Sequence, residues 1–245
     1  MCDASPDRVE FISPCSPLDH CAACGHVYTR LTPRKLILQL MYGHLSYWNV
    51  DKEHQGIATM EQGPHWRGFV AARMNALRHA GLLEDGPKRI FEIGCAEGML
   101  LHELSQLGHE ALGSELNEPV ARAGMQSLGV QIRTGMFEEI ALPTGHYDAV
   151  ISFHTIEHII DLERTFRKIA RILKPDGVLL IEVPTGPEEY TNRDHVHFFN
   201  EASLQRLLER YFEVGETLTN HYVSSAGASI GSLYGVGRRP LRPAC

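Results

Sequence analysis

The sequence lacks the features that mark several broad classes of protein. It has no apolar run near the roughly 18 residues a membrane-crossing helix needs, so no membrane partner is expected. Positive charge is in deficit: 23 Lys and Arg against 30 Asp and Glu give a formal charge of −7, which argues against a nucleic-acid partner. Six cysteines in 245 residues are too sparse for a disulfide scaffold. The start, Met1-Cys2-Asp3-Ala4-Ser5-Pro6-Asp7, lacks the charged and apolar blocks of a secretory leader. No repeat of solenoid period and no low-complexity block is present. The expectation is a reduced, soluble, cytoplasmic protein. What is there is 43% apolar, enough for one core and short for two full domains.

Three regions differ in character. Residues 1–30 are rich in Cys, Pro and His and show little periodicity. Residues 31–85 read as a helical cap. In it, Leu36, Ile37, Leu40 and Met41 share one face, and Phe69, Arg73, Leu77 and Ala80 mark a later helix. From residue 86 to 245 short apolar runs alternate with amphipathic stretches, an α/β pattern. Strands are expected at 89–93, 111–115, 130–134, 149–153, 178–183, 212–218 and 232–236. Over 161–173, Leu162, Phe166, Ile169, Ala170 and Leu173 fall on one helical stripe. Lys174-Pro175-Asp176-Gly177 is expected to end that helix with a left-handed turn. No helical run separates the last two strands, so they should pair antiparallel at one edge of an otherwise parallel sheet.

The first of these strands runs into Glu92-Ile93-Gly94-Cys95-Ala96-Glu97-Gly98 and then a helix start. Glycines let a backbone approach a ligand closely, and a helix N-terminus offers unpaired N–H groups. The spacing is neither that of a dinucleotide loop nor that of a nucleoside-triphosphate loop. An acid at the strand end repels phosphate and suits a ligand carrying an ammonium group. A second strand ends in Glu115, 23 residues after Glu92, about where an acid that binds ribose hydroxyls is expected.

Glu92-x-Gly94-x-x-x-Gly98 resembles the first motif of class I S-adenosylmethionine-dependent methyltransferases. The segments Ala111-Leu112-Gly113-Ser114-Glu115-Leu116-Asn117, Gly135-Met136-Phe137, Tyr147 to His154 and Leu173 to Leu180 are similar to the later motifs in order and spacing. The resemblance covers about residues 20 to 238. It implies a seven-stranded, mostly parallel Rossmann-like sheet with its last strand antiparallel, plus a small Cys-rich and helical N-terminal segment over the carboxyl edge. It also implies S-adenosyl-L-methionine as cofactor. Gly94, Cys95, Ala96 and Gly98 would lie beneath it, and Glu115 and Leu116 would sit at its ribose. Met136 and Phe137 would be near the adenine, with Glu92, Phe153 and His154 around the methionine part. Arg67 could pair with its carboxylate, and Tyr42, Tyr47 and Trp48 could close over the site. Met136 departs from the pattern, since many members place an acid there.

Cys21-Ala22-Ala23-Cys24-Gly25-His26 is a C-x-x-C-G knuckle, a shape that turns two thiolates toward one metal. It resembles a zinc-binding segment found in a branch of the family that acts on sugars and natural products. That branch has a second C-x-x-C upstream, which is broken here after Cys2. The implied structural zinc would therefore draw on Cys2, Cys15, Cys21 and Cys24, with His20 and His26 also available. A homodimer is left open.

His154-Thr155-Ile156-Glu157-His158 also matches the inverted zincin pattern H-x-x-E-H, which leaves a metalloprotease as a rival reading. That pattern must lie on a helix, whereas here it starts at the end of an expected strand. A non-catalytic, cofactor-binding scaffold is a rival from another class. For methyl transfer to a hydroxyl or carbon acid a base is needed. His195 is the first candidate, then His154, with His197 and Glu157 positioning a small-molecule acceptor. In an extended segment His195 and His197 would point the same way, with Asp194 orienting one ring.

Overall fold

Alternating apolar and amphipathic stretches build the expected α/β core. The computed structural model describes residues 8–13, 16–29, 64–186, 195–223 and 229–241, with side chains described outside 8–17, 64–67 and 220–230. Strands β1 (Arg8–Ser13), β2 (Ser16–His20) and β3 (Val27–Thr29) precede helix α1 (Pro64–His79). Then follow β4 (Arg89–Ile93), α2 (Met99–Gln106), β5 (Glu110–Glu115), α3 (Glu118–Leu128), β6 (Gln131–Thr134) and β7 (Tyr147–Phe153). The chain continues through α4 (Leu162–Ile172), β8 (Leu173–Thr185), β9 (His197–Phe198), α5 (Glu201–Glu209), β10 (Phe212–Val223) and β11 (Ser229–Pro240). The expected helix face at 36–41 and the aromatics Tyr42, Tyr47 and Trp48 lie outside the described residues.

The large sheet has the order β10-β11-β8-β7-β4-β5-β6. Strands β4 to β8 pair parallel, while β11 runs antiparallel to both β8 and β10. This is the expected seven-stranded sheet. Successive residues of a strand face opposite sides, and helices cover both sides, so the central strands are apolar on both faces except at buried polar positions such as Glu92 and Glu182. Phe91, Ile93, Val150, Leu179 and Ile181 pack with Phe166 and Ile169 of α4 on one side. Ile90, Ala149, Ile151 and Leu180 pack with Leu77 of α1 and Leu100 and Leu104 of α2 on the other. At 11 residues, α4 is too short to persist alone. Burial of Leu162, Phe166, Ile169 and Ile172, worth roughly 1.5–3 kcal/mol each, holds it in place.

The end of α4 differs from the expectation. Asp161 caps its start, accepting from the Arg164 N–H at 2.9 Å. Leu173, however, is already extended (φ −66°, ψ 148°) and opens β8 directly. Gly177 has no positive φ. The last carbonyls of the helix are instead satisfied by the approach to β7: Gly145 N–H donates to Arg171 O (2.9 Å) and His146 N–H to Ile172 O (2.8 Å). With those acceptors filled, a left-handed cap has no work left.

The N-terminal segment, aperiodic as a sequence, forms strands because it has a partner. β1, β2, β3 and β9 make a four-stranded antiparallel sheet. β9 belongs to the loop that follows the carboxyl end of β8, and Tyr28 lies opposite His197 and Val27 opposite Phe198. The segment therefore docks at the carboxyl edge of the large sheet. Among the described residues no helix is long and apolar enough to cross a membrane.

Candidate active site

The carboxyl ends of β4 and β5 carry two buried carboxylates, one on each side of the glycine loop. Gly94 (φ +71°) donates its N–H to Ser114 O at 2.9 Å. A Cβ there would lie 2.2 Å from Thr155 Oγ1, so only glycine fits. Ala96 is also left-handed (φ 49°), and Gly98 (φ +78°) caps α2 without a side-chain bond. The N–H groups of the first turn of α2 are thereby left for another acceptor. At the end of β5, Glu115 Oε2 accepts from Ala96 N–H (3.0 Å) and Oε1 from Asn117 N–H (2.7 Å). A carboxylate offers about four lone-pair sites, so acceptor capacity is left over. Burial raises the Glu115 pKa, against the pull of the Asn117, Ala96 and Leu116 N–H groups.

Glu92 is the less satisfied of the two. Its Oε2 is buried without a hydrogen-bond partner among the described residues. Burial pushes its pKa up to about 7, opposed by Arg73 and helped by Glu115. Cys95 is buried, and its thiol is pushed well above the ordinary range by burial and then by Glu92. It is a packing residue and not a nucleophile.

Arg73, which the sequence places merely on a helix face, stands 5.0 Å over the Phe153 ring and acts electrostatically on Glu92, His154 and Glu182. Arg67 is one turn and a half earlier on α1, with its side chain outside the described set. Leu116 and Met136 are half-buried. The Phe137 ring faces the core, tilted against Phe91 at 5.7 Å and beneath the Lys168 ammonium at 4.5 Å. Any contact of Phe137 with a ligand therefore falls to its backbone.

Histidines gather beyond the end of β7. His154 takes a left-handed backbone (φ 51°), and its N–H donates to Glu182 O at 2.9 Å. Its Nε2 lies 3.6 Å from Glu182 Oε2 and its Nδ1 3.7 Å from Glu157 Oε1. Burial works against a charge on this ring, but Glu182 and then Glu157 outweigh it and raise the pKa. Glu182 is itself held by the Ser232 hydroxyl of β11 at 2.8 Å. The H-x-x-E-H pattern thus spans a strand end and a 3-10 turn, Ile156–His158. The two histidines share no α-helical face, and the metalloprotease reading loses its geometry.

His195 and His197, expected to point the same way, meet different neighbours. His195 is buried edge-to-face on His158, ring centroids 4.7 Å apart. Burial, then His158 and His154, lowers its pKa to about 2. His197 turns to the N-terminal sheet, its Nδ1 3.2 Å from His26 Nε2, and burial lowers its pKa to about 4. The pairing of β9 with β3 separates the two rings. Asp194 lies outside the described residues.

At the knuckle, Gly25 N–H donates to Cys21 O and Cys21 N–H to His26 O, both at 2.8 Å, with Gly25 at φ +69°. That turn fits a pair of metal-binding thiols. Among the described residues no third donor joins Cys21 and Cys24, and Cys2 and Cys15 lie outside them. Sequence reasoning missed the parts played by Arg73, Glu182 and the His26–His197 pair. Glu182 carried a signal, as the one charge in the run from Val178 to Val183.

Comparison with known proteins bears on this geometry. A family model described as a methyltransferase domain matches residues 66–211. A probable S-adenosylmethionine-dependent methyltransferase of Mycolicibacterium smegmatis is 32% identical over 137 residues, 53% of this chain and 53% of that protein. A ubiquinone biosynthesis O-methyltransferase of Bradyrhizobium diazoefficiens is 32% identical over 101 residues, 39% of this chain and 40% of that protein. The chain thus spans about half the length of the curated relatives it matches. In fold it is similar to a possible histamine N-methyltransferase of Thermotoga maritima (TM-score 0.60, 17% identity, 82% of this chain and 99% of that one). It is also similar to Haemonchus contortus phosphoethanolamine N-methyltransferase 2 in complex with S-adenosyl-L-methionine (TM-score 0.64, 14% identity, 83% and 60%).

Proposed function

This chain belongs to the methyltransferase-domain family, and from that premise we propose that it transfers a methyl group from S-adenosyl-L-methionine to a small-molecule acceptor. The observation that carries the reading is the glycine loop set between two buried carboxylates, one of which has an oxygen without a hydrogen-bond partner among the described residues. The residues fit the cofactor. Glu92 would face its ammonium group, and Glu115 would accept its two ribose hydroxyls with the lone pairs left over. Gly94, Cys95, Ala96 and Gly98 would form the floor, Phe153 and His154 one wall, and Leu116, Met136 and the Phe137 backbone the adenine end. For the cofactor carboxylate we favour Arg73 over Arg67, because Arg73 already stands over Phe153. When bound, the cofactor supplies a methyl carbon activated by a sulfonium.

The protein's part is then to align an acceptor and take its proton. We assign the proton to His154, not to His195, on geometry. His154 lies between two carboxylates and is partly open to the site, while His195 is enclosed. Glu157 and His197 position the acceptor. A base so placed favours a hydroxyl acceptor, and the knuckle resemblance favours a sugar or natural-product intermediate, made in the cytoplasm. A structural zinc on Cys2, Cys15, Cys21 and Cys24 and the division at residues 30 and 85 belong to the same proposal. The knuckle turn supports the zinc.

Calorimetry with S-adenosylmethionine tests the assignment. Wild type should bind at micromolar strength, ordinary for such enzymes, and Glu115→Ala should bind at least tenfold more weakly. Equal binding by both would overturn it. Turnover on an extract of candidate acceptors separates an enzyme from a scaffold. There His154→Ala should lower kcat by roughly 10²–10⁴-fold with cofactor affinity unchanged.

A further inference from the structure

We propose that Glu157, His158 and His195 bind a divalent metal ion of nitrogen and oxygen preference, such as Zn2+, at the carboxyl edge of the sheet beside the cofactor loop. One donor atom from each residue lies within 4.8 Å of the others. A tetrahedral zinc with bonds of about 2.0–2.1 Å holds its donors roughly 3.3 Å apart, so small side-chain rotations close the set.

The Glu157 carboxylate supplies the strongest argument. It is 1% exposed, and neither oxygen has a hydrogen-bond partner among the described residues. A buried acceptor left in that state costs about 1–3 kcal/mol or more. The ring nitrogens His154 Nδ1 and His158 Nε2 stand at 3.7 and 3.8 Å, too far for a hydrogen bond. A cation among these groups supplies the missing partner. The imidazoles of His158 and His195 meet edge-to-face beside it, and imidazole nitrogens are ligands that suit zinc.

Backbone bonds hold the donors in place. Val196 N–H donates to Glu157 O (2.9 Å), His158 N–H to Thr155 O (3.0 Å) and Thr29 N–H to Val196 O (3.0 Å). The 3-10 turn, the loop after β8 that carries His195 and the N-terminal sheet therefore converge on this point. His154 is not in the set, being drawn to Glu182.

The cluster is closed at Glu157 and His195 and open at His158, which is 21% exposed in its side chain. Three protein donors and one open side leave a coordination position. That position takes a hydroxyl or carbonyl oxygen of an acceptor, whose proton the ion makes easier to remove. The ion site goes beyond the methyltransferase reading and is measured without turnover, so either can fail while the other stands.

The test uses full-length protein freed of metal by a chelator and titrated with Zn2+ against a chromophoric competitor. A Cys21→Ser/Cys24→Ser variant removes the knuckle. It should still take up one Zn2+ per chain, and Co2+ bound to it should show visible bands without the ultraviolet band of thiolate ligation. Adding Glu157→Gln or His195→Ala should abolish that uptake while circular dichroism stays as in the parent. Should the buried substitutions unfold the chain, His158→Ala, at the open side, replaces them and should abolish uptake likewise. No uptake by the cysteine variant, or uptake retained in the histidine variants, would overturn the site.

Discussion

Glu92 concentrates the physics of the site in one residue. In the folded chain its carboxyl titrates near 7, against 4.5 for an ordinary glutamate. An acid whose folded pKa is raised contributes stability that is full below 4.5 and lost as pH rises through about 7. The shift corresponds to about 3 kcal/mol. Thermal unfolding of the cofactor-free protein should show wild type losing stability relative to Glu92→Gln between pH 4.5 and 7.5. A ligand ammonium reverses the balance because it needs the ionised form. Cofactor affinity should accordingly fall roughly 20-fold from pH 7.5 to 5.5, with a proton released on binding near pH 6.5 that buffers of different ionisation enthalpy reveal. Glu92→Gln should bind weakly and without that pH dependence.

At the scale of elements, the loop depends on how closely α3 and β5 approach it. A Cβ at Gly124 of α3 would lie 1.9 Å from Glu97 O, and one at Gly113 of β5 would lie 2.4 Å from Cys95 Sγ. Backbone cannot retreat as a side-chain tip can. Gly124→Ala should therefore cost about 1–3 kcal/mol, seen as a lower melting temperature, and should weaken cofactor binding as the loop is displaced. Gly113→Ala meets a sulfur and a leucine tip and should be the milder of the two. Opposite them, the α4 residue Lys168 donates to the carbonyls of Phe137 and Ile140, while burial lowers its pKa to about 8. It ties α4 to the turn that bears Met136.

Across the whole molecule, Asn200 joins the knuckle turn before β3 to the start of α5. Its Oδ1 accepts from Ser203 N–H and its Nδ2 donates to Gly25 O, both at 2.8 Å. Asn200→Ala should cost about 0.5–2 kcal/mol through the lost helix cap and should also speed amide hydrogen exchange in β3. Ser203→Ala, which loses its side-chain bonds at the cap alone, should destabilise the chain without changing exchange in β3.

The sequence by itself determined the parallel core. Strand and helix periods, the glycine spacing and Glu92 with Glu115 are local patterns, and each burial choice they encode concerns a face or a turn a few residues long. Gly94 and Gly98 were legible because their left-handed backbone favours one residue type. The histidines were legible only as a list. Which ring opens to the site, which meets Glu157 and which turns to His26 follows from β9 pairing with β3, a contact between residues 169 and 171 apart in the chain. Arg73 became a site residue because packing of α1 against β7 brings it over Phe153. The end of α4 was settled by the N–H groups of residues 145 and 146, not by its own Pro and Gly. Long-range pairing supplies or withholds hydrogen-bond partners that no local pattern specifies, so the tertiary structure alone decided the chemistry around Glu157.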